Sequence, residues 1–328
     1  MKATAERILA GDRRSLARAI TLVESERPDH RAQSLELLSL LRGAGRQALR
    51  VGLSGTPGSG KSTLIEQLGL MLADAENRVA VLAVDPSSNQ SGGSILGDKT
   101  RMERLARHRN AFIRPSPSRL APGGVSARTR EVVALCEAAG FDTIIIETIG
   151  VGQSEILVSE MSDVFVLILG PAGGDELQGV KRGVIEISDI VLVNKADGDL
   201  EAAARQTCAE YAGALRLLSS RPCDPEGVPM AMTISAILGT GLSTAWNEIT
   251  ALAEWRKRSG FWDSNRTRQE VRWFEAEVDR CLLDEIRTIP GLAEVRTEVA
   301  LGVSSGEIDP GEGAVRVIEW LRTRKSPG

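Results

Sequence analysis

The fold of this chain is decided by one stretch, Gly55-Thr56-Pro57-Gly58-Ser59-Gly60-Lys61-Ser62-Thr63. It follows an apolar run (49–54) and opens a run with apolar residues at helical spacing (64–72). Glycines and the free N–H groups of a helix start can surround a phosphate. In such a loop the lysine reaches the β- and γ-phosphates and the next hydroxyl binds Mg²⁺. We therefore predict a nucleoside triphosphate site with Lys61 as a catalytic residue, Ser62 as a magnesium ligand, and a phosphate-binding set of Gly55, Pro57, Gly58, Ser59, Gly60, Lys61, Ser62 and Thr63.

Composition excludes several other classes of protein. The 328 residues carry 40 basic and 44 acidic side chains, a net charge of −4, and no basic stripe indicates a nucleic-acid surface. No apolar run reaches the roughly 18 residues that span a membrane, and the N-terminus lacks a signal-peptide pattern. Four scattered cysteines and two histidines offer few zinc ligands. We expect a cytoplasmic protein without nucleic-acid or membrane partners.

From residue 49 onward, short apolar runs alternate with helical stretches. Continuous apolar strands between helices are typical of a parallel sheet covered on both faces. In such sheets ligands bind beyond the carboxyl ends of the strands, and each polar motif of this chain follows such an end. We therefore predict an α/β fold with a mostly parallel central sheet, whose strands lie at 49–54, 79–84, 112–114, 143–147, 164–169, 190–194 and 232–235.

Helical extensions are predicted on both sides of a P-loop domain at 46–260. Residues 1–45 form either a layer packed on that domain or an arm that docks a partner. In the segment 261–328, helices are predicted at 266–287 and 314–322. The first carries one apolar stripe, which faces either the core or a second subunit, because aromatic residues concentrate at interfaces; its members are Val271, Phe274, Val278, Cys281 or Leu282, and Ile286.

Asn194-Lys195-Ala196-Asp197 follows an apolar strand and predicts recognition of guanine. The Asp197 carboxylate can accept two hydrogen bonds from N1–H and the 2-amino group, an edge that adenine lacks. Asn194 would face the N7 side of the purine, and the stem of Lys195 would pack over the ring. Ser235-Ala236, after the next strand, fits a loop that closes over the base. The nucleotide is therefore predicted to be GTP.

Carboxylates after two other strands are candidate metal or water ligands. Glu147-Thr148-Ile149-Gly150 ends a strand; Glu147 would hold Mg²⁺ through a water, and the Gly150 N–H would sense the γ-phosphate. Gln153 is a candidate to orient the attacking water. Asp85 and Asp98 flank a loop rich in glycine and serine, and they either bind Mg²⁺ or position water, or cap helices.

Another glycine-rich loop, residues 171–182, leaves the strand at 164–169. Its charged members include Asp175 and Lys181, with Gln178 between them. The loop is too polar for a simple connector, which indicates a switch or a contact with a partner.

Taken together, these motifs resemble the MeaB/ArgK family of GTPases over nearly the whole chain. The resemblance rests on residues 55–63, 85–88, 91–102, 147–155, 174–181 and 194–197. It implies a homodimeric P-loop GTPase of the SIMIBI group that binds methylmalonyl-CoA mutase and gates delivery of adenosylcobalamin to it. It also implies magnesium-site acids at Asp85, Asp98 and Glu147, a switch loop with Asp175, Gln178 and Lys181, and a dimerisation arm at 261–328.

Two other classes share the P-loop. A nickel metallochaperone GTPase needs soft Cys and His ligands, and this chain has no CxxC pair. A GTP- or ATP-dependent protein or amino-acid kinase needs a base placed for an acceptor other than water, and no motif is dedicated to one.

Overall fold

A seven-stranded parallel sheet forms the centre of the computed structural model. The structure describes residues 1–25, 27–84, 102–115, 124–148, 154–171, 182–218, 221 and 224–324. The strands pair in the order β3-β2-β4-β1-β5-β6-β7, and every pair is parallel. In chain order, β1 to β7 are Leu49–Gly55, Val79–Val84, Ala111–Arg114, Thr143–Thr148, Val164–Leu169, Ile190–Val193 and Met230–Thr233. The predicted α/β fold with a parallel sheet is confirmed.

Most strand boundaries agree with the apolar runs, but the last strand does not. β7 begins at Met230 and ends at Thr233, two residues earlier than predicted at each end, which leaves Ser235 in the loop beyond it. Residues of β1, β2, β4, β5 and β6 are buried almost throughout, as expected for strands covered on both faces.

Helices cover the sheet and extend from both ends of the chain. In chain order, α1 to α13 are Lys2–Leu9, Arg13–Val23, Pro28–Leu41, Lys61–Asp74, Glu103–Arg107, Gly124–Ala138, Ser154–Ser159, Arg182–Ile187, Glu201–Arg216, Leu242–Arg258, Phe261–Arg287, Leu292–Ser304 and Pro310–Arg324. Short 3₁₀ turns occupy Arg42–Ala44 and Gly198–Leu200. No helix in the described part of the chain is long and apolar enough to cross a membrane.

The N-terminal helices α1, α2 and α3 pack on one another and on α6. Asp12 caps α2 as its sequence position predicts, because its carboxylate accepts hydrogen bonds from the backbone N–H groups of Arg14 and Ser15 at 3.4 and 3.1 Å. The N-terminal segment is therefore a helical layer on the main unit.

At the amino ends of the strands, two aspartates connect neighbouring strands. Asp163 precedes β5 and accepts a hydrogen bond of 2.8 Å from the backbone N–H of Arg50 in β1. Its other contacts come from the Arg266 guanidinium of α11, at 3.0 and 2.7 Å. Glu137 bonds the side chains of Arg50 and Arg266, so strands and helices meet in one buried network.

Asp189 plays the same part before β6. Its carboxylate accepts 2.7 Å from the backbone N–H of Phe165 in β5, and 3.0 and 2.7 Å from the Arg256 guanidinium of α10. Arg256 also bonds Asp224 at 2.9 Å. Burial by itself would lower the pKa of Arg256, but attraction to Asp189 and Asp224 holds that pKa above its ordinary value. We call the end of the sheet at which its parallel strands begin the amino edge, and the end at which they finish the carboxyl edge.

The chain divides into two compact units, Met1–Gln269 and Glu270–Gly328. In the second unit α12 packs against α13. The sequence pattern did not predict α12, which begins after Gly291, a residue in the left-handed conformation (φ +87°) that starts a new helix after the Pro290 break. The predicted apolar stripe of α11 is exposed within this chain: Val271, Phe274, Val278 and Leu282 are 37–68% accessible.

Candidate nucleotide-binding site

The loop between β1 and α4 has the backbone that a phosphate cradle requires, and its glycines serve different purposes. A Cβ on Gly55 would lie 2.0 Å from the Ile168 carbonyl oxygen, so this glycine allows β1 and β5 to approach. Gly60 has φ +88°, and a Cβ there would lie 2.5 Å from Nδ2 of Asn194. Helix α4 begins at the next residue, Lys61. Its first backbone N–H groups therefore face the space enclosed by the loop.

The Lys61 ammonium lies over this loop. Its Nζ donates to the carbonyl oxygens of Gly55 at 2.6 Å and Thr56 at 3.3 Å. Burial lowers the pKa of Lys61, and attraction to the carboxylates of Glu147 and Glu155 partly offsets that effect. An anion placed beside this ammonium would favour the charged form of Lys61 and so oppose the effect of burial on its pKa. The arrangement fits the phosphates of a nucleotide.

Asn194 joins the phosphate loop to the segment after β7. Its side chain is buried; Nδ2 donates to the Ser59 carbonyl oxygen at 2.8 Å, and Oδ1 accepts from the Ala236 N–H at 2.9 Å. The amide nitrogen carries two hydrogens, so one remains for the predicted contact with purine N7. Asn194 thus sets the distance between the phosphate and base ends of the site, a role that the sequence pattern did not reveal.

Asp197 lies beside Ser235 at the base end of the site. The Ser235 hydroxyl donates to the Asp197 carboxylate and accepts from the Leu238 N–H at 3.1 Å. The backbone between them is also tied, since the Ala196 N–H donates to the Ile234 carbonyl oxygen at 3.0 Å. Lys195 has φ +62°, a left-handed conformation uncommon for a lysine. The serine predicted to cover the base therefore orients the carboxylate predicted to read it.

Glu147 is the described member of the predicted magnesium set besides Ser62. It is buried near the end of β4, opposite Leu53 of β1. The next residue, Thr148, donates its hydroxyl hydrogen to the Ser54 hydroxyl at 3.0 Å, which ties the ends of β4 and β1 together. Ser62 is half-buried in the first turn of α4. A hydroxyl and a carboxylate are oxygen donors of the kind that Mg²⁺ takes.

Glu155 is a second buried carboxylate near Lys61 that was not among the residues predicted for the site. The structure buries this carboxylate at the start of α7, close enough that its attraction offsets part of the lowering of the Lys61 pKa that burial causes. No pattern in the sequence distinguishes a buried glutamate from an exposed one in the first turn of a helix.

Several predicted residues lie outside the described residues: Asp85, Asp98, Gly150, Gln153, Asp175, Gln178 and Lys181. The remaining predicted residues follow four strands. The P-loop follows β1, Glu147 lies in β4, the Asn194–Asp197 motif follows β6, and Ser235-Ala236 follow β7. In the sheet β1 is next to β4 on one side and is separated from β6 by β5 on the other. Glu147 therefore lies on one side of the phosphate loop and the guanine motif on the other, where Asn194 reaches the Ser59 carbonyl oxygen. Within the described part, no group of three or more His, Cys, Asp or Glu side chains is placed to hold a metal ion.

A parallel sheet with a P-loop after its central strand and an Asn-Lys-x-Asp motif after β6 defines a P-loop GTPase. Comparison with known proteins is more specific. A family model described as "Methylmalonyl Co-A mutase-associated GTPase MeaB" matches residues 16–290. The chain belongs to the MeaB family, and the resemblance noted from its motifs is confirmed.

Similar proteins agree with this assignment. The GTPase ArgK of Escherichia coli is 41% identical, over 97% of this chain and 96% of that protein. A mouse protein named "Methylmalonic aciduria type A homolog, mitochondrial" is 44% identical, over 97% of this chain and 78% of its own length. A crystal structure described as a LAO/AO transport system kinase covers 98% of this chain and 97% of its own, at 34% identity and a TM-score of 0.75.

Proposed function

We propose that this GTPase is a chaperone that gates adenosylcobalamin loading into methylmalonyl-CoA mutase and protects the mutase from inactivation. The observation that carries this proposal is the family match over residues 16–290, because the family is named for its association with that mutase. The mouse relative, named for methylmalonic aciduria, supports the same partner. GTP hydrolysis by this chain would time the loading of the cofactor, because the GTP and GDP states differ by one phosphate that surrounding loops can sense.

In the proposed mechanism the described residues hold GTP and stabilise charge on its phosphates. The backbone N–H groups of residues 58–63 surround the phosphates, and Lys61 exchanges its carbonyl partners for phosphate oxygens. Asp197, oriented by Ser235, accepts from the guanine edge, and Asn194 donates its second N–H to N7. These contacts position the nucleotide; the residue that activates water is not among them.

Magnesium would supply the remaining positive charge at the β- and γ-phosphates when bound. We assign Ser62 as its direct ligand, with Glu147, Asp85 and Asp98 holding the metal or its waters. Glu147 has the burial to do so, and it already interacts electrostatically with Lys61. Asp98, Glu147 and Gln153 are the proposed catalytic residues beside Lys61, and Gly150 is proposed to contact the γ-phosphate.

Asp175, Gln178 and Lys181 are proposed to couple the nucleotide to the mutase. The test is GTP hydrolysis measured with and without the mutase, for the wild type, for Lys181→Ala and for Lys2→Ala, an exposed control lysine on α1. We expect the mutase to accelerate hydrolysis in the wild type and in Lys2→Ala, whereas Lys181→Ala keeps the basal rate and loses the acceleration. The absence of both acceleration and a complex at micromolar concentrations would contradict the proposed partner.

Gating has a separate test. Transfer of adenosylcobalamin to the mutase is measured with GTP and with a nonhydrolysable GTP analogue. Gating by hydrolysis requires that the two nucleotides give different loading rates. Equal rates would leave a mutase-binding GTPase without a gating role.

A homodimer formed through residues 261–328 is also proposed. Its support is the exposed apolar stripe of α11, since exposed apolar surfaces of this kind mark sites of association. Phe274→Glu is expected to shift the protein from dimer to monomer in sedimentation, whereas Glu275→Ala on the same helix leaves the dimer intact. A wild-type monomer at all concentrations would refute the dimer.

A cytoplasmic location remains the prediction from the sequence, and cell fractionation tests it. The nickel metallochaperone and the kinase alternatives are not favoured, because relatives similar over nearly the whole chain are named as a GTPase and as a methylmalonic aciduria protein. Appearance of the γ-phosphate on a protein or amino acid, and not as free phosphate, would restore the kinase interpretation.

A further inference from the structure

An open cavity of about 440 Å³ lies at the junction of α1 and α2, in the N-terminal helical layer. Its lining is mainly cationic and consists of Arg7, Asp12, Arg14, Ser15 and Arg18. The volume lies within the range of small-molecule sites in proteins, roughly 300–1,000 Å³. The role proposed for this GTPase does not involve this cavity.

The three arginines of the cavity are exposed and available. Among the residues that the structure describes, none of Arg7, Arg14 and Arg18 has an ion-pair or hydrogen-bond partner for its guanidinium. Asp12 is the one carboxylate in the lining, and it is engaged: it accepts from the Ser15 hydroxyl at 2.6 Å and from the Ser15 N–H at 3.1 Å. The Ser15 hydrogen bonds lower the pKa of Asp12, and attraction to Arg7 contributes to the same lowering. The lining therefore keeps an excess of positive charge.

The cavity wall is held in place by other arginines. Arg46 donates to the carbonyl oxygens of Leu9 and Ala138 at 3.0 and 3.1 Å, and Arg13 donates to that of Arg109 at 3.2 Å. These bonds attach the α1–α2 turn to segments that precede β1, β3 and β4. The cavity thus belongs to the amino edge, across the sheet from the P-loop, and the backbone of the turn that joins its two helices is held in place.

These additional cations also shape the electrostatic field. Burial lowers the pKa of Arg13, and repulsion from Arg78 contributes to that lowering. Arg13 and Arg78 are therefore close enough to interact, although both are cations. Clustered charges of one sign raise the local concentration of oppositely charged ligands.

We propose that this cavity is a second anion site that binds a phosphate-bearing small molecule. Guanidinium groups form paired hydrogen bonds with phosphate oxygens, and phosphate offers three such oxygens in a tetrahedral arrangement. The three guanidinium groups of the cavity, which come from two helices, suit that geometry, whereas a single guanidinium is enough to pair with a carboxylate. The volume leaves room for an organic group attached to the phosphate.

The experiment uses the full-length protein saturated with Mg²⁺ and a nonhydrolysable GTP analogue, so that the P-loop is filled. Glycerol 3-phosphate is titrated by calorimetry, with inorganic sulfate as the comparison anion. Arg7→Gln, Arg14→Gln and Arg18→Gln each remove one guanidinium group and keep a good helix-forming residue. Arg216→Gln, at an exposed arginine near the end of α9, is the matched control.

We expect saturable binding that is tighter than that of sulfate, about tenfold weaker in each cavity variant, and unchanged in Arg216→Gln. GTP hydrolysis and thermal unfolding should be unchanged in all four variants, because the three arginines are exposed and far from the P-loop. No binding by the wild type, binding no tighter than that of sulfate, or binding by all three cavity variants equal to that of the wild type would each overturn the proposal. None of these outcomes depends on the mutase, so the two proposals fail independently.

Discussion

At the amino edge of the sheet Arg256 and Arg266 donate to buried carboxylates, whereas at the carboxyl edge Lys61 donates to backbone carbonyls. A guanidinium that meets aspartates has its charge compensated within the fold. Lys61 donates its hydrogen bonds to neutral oxygens and is attracted to the carboxylates of Glu147 and Glu155, but burial outweighs that attraction and lowers its pKa, so an added anion would favour its charged form. At the amino edge the charged side chains pair with one another and stabilise the fold, whereas at the carboxyl edge the buried ammonium favours the binding of an anionic ligand.

The largest effect is expected from a substitution that removes an ion pair at the amino edge. Arg256→Ala removes one guanidinium from Asp189 and Asp224, which also pair with Arg221; removal of one partner from a buried ion pair costs about 3–5 kcal/mol, and we expect a loss near the lower end of that range. Urea unfolding should show this loss, while the remaining folded protein binds GTP normally. Arg258→Ala, an exposed change two residues along the same helix, should stay within about 0.5 kcal/mol. Equal stability of the two variants would mean that the network does not stabilise the fold.

The next largest effect is expected from removal of the Lys61 ammonium at the carboxyl edge. Lys61→Met removes the ammonium that donates to the Gly55 and Thr56 carbonyl oxygens of the P-loop, so GTP hydrolysis should fall about 100- to 1,000-fold. The change in the free energy of unfolding without nucleotide should stay well below that of Arg256→Ala, because the cost of burying the ammonium is removed together with its attraction to Glu147 and Glu155. Steady-state phosphate release and urea unfolding measure the two quantities. Near wild-type turnover would show that Lys61 does not contact the transferred phosphate.

A smaller effect sharpens the base end of the site. Asp197→Asn replaces a carboxylate acceptor with an amide, so the affinity for GTP should drop about 100-fold. The affinity for xanthosine triphosphate should rise, because its base presents an oxygen at position 2 that can accept a hydrogen bond from the amide. Ser235→Ala leaves the Asp197 carboxylate without its hydroxyl donor and should weaken GTP binding by a lesser factor. Competition against a fluorescent GDP analogue measures both. Unchanged selectivity in Asp197→Asn would reject the carboxylate as the guanine reader.

The smallest effect is a pH dependence that belongs to the carboxyl edge alone. Because burial lowers the pKa of Lys61, the folded protein binds fewer protons than the unfolded chain between that lowered pKa and the ordinary 10.5. Stability without nucleotide must then rise with pH across this window, so the penalty for burying the ammonium disappears as pH approaches 10.5. The unfolding free energy of the wild type relative to Lys61→Met should increase over that range. A constant difference would show that the ammonium is not desolvated.

Local signals explain what could be predicted. The apolar run before Gly55 and the helical spacing after Lys61 predicted β1, the loop and α4, because backbone preferences act over short distances. The same holds for β6 and the polar motif after it. β1 ends one residue later than its apolar run, and α4 (Lys61–Asp74) extends beyond the apolar positions at 64–72. Boundaries were less certain where apolar and polar residues mix, and β7 accordingly lies two residues earlier than predicted.

Long-range pairings could not be predicted. Asp189 and Arg256 are 67 residues apart, and Asp163 bonds Arg50 across 113 residues. Nothing local distinguishes these arginines from exposed ones, such as Arg258 beside Arg256. The same applies to Asn194, whose bridge between Ser59 and Ala236 depends on the order of strands in the sheet.

The parallel α/β class, the phosphate loop and the guanine motif could be predicted because each depends on contiguous residues with local conformational preferences. The packing of distant segments settles which charges meet. It paired Arg256 and Arg266 with aspartates, left Lys61 on carbonyls, and set Arg7, Arg14 and Arg18 around one cavity. Electrostatic energy depends on distance and burial, and both are fixed only when distant segments pack together.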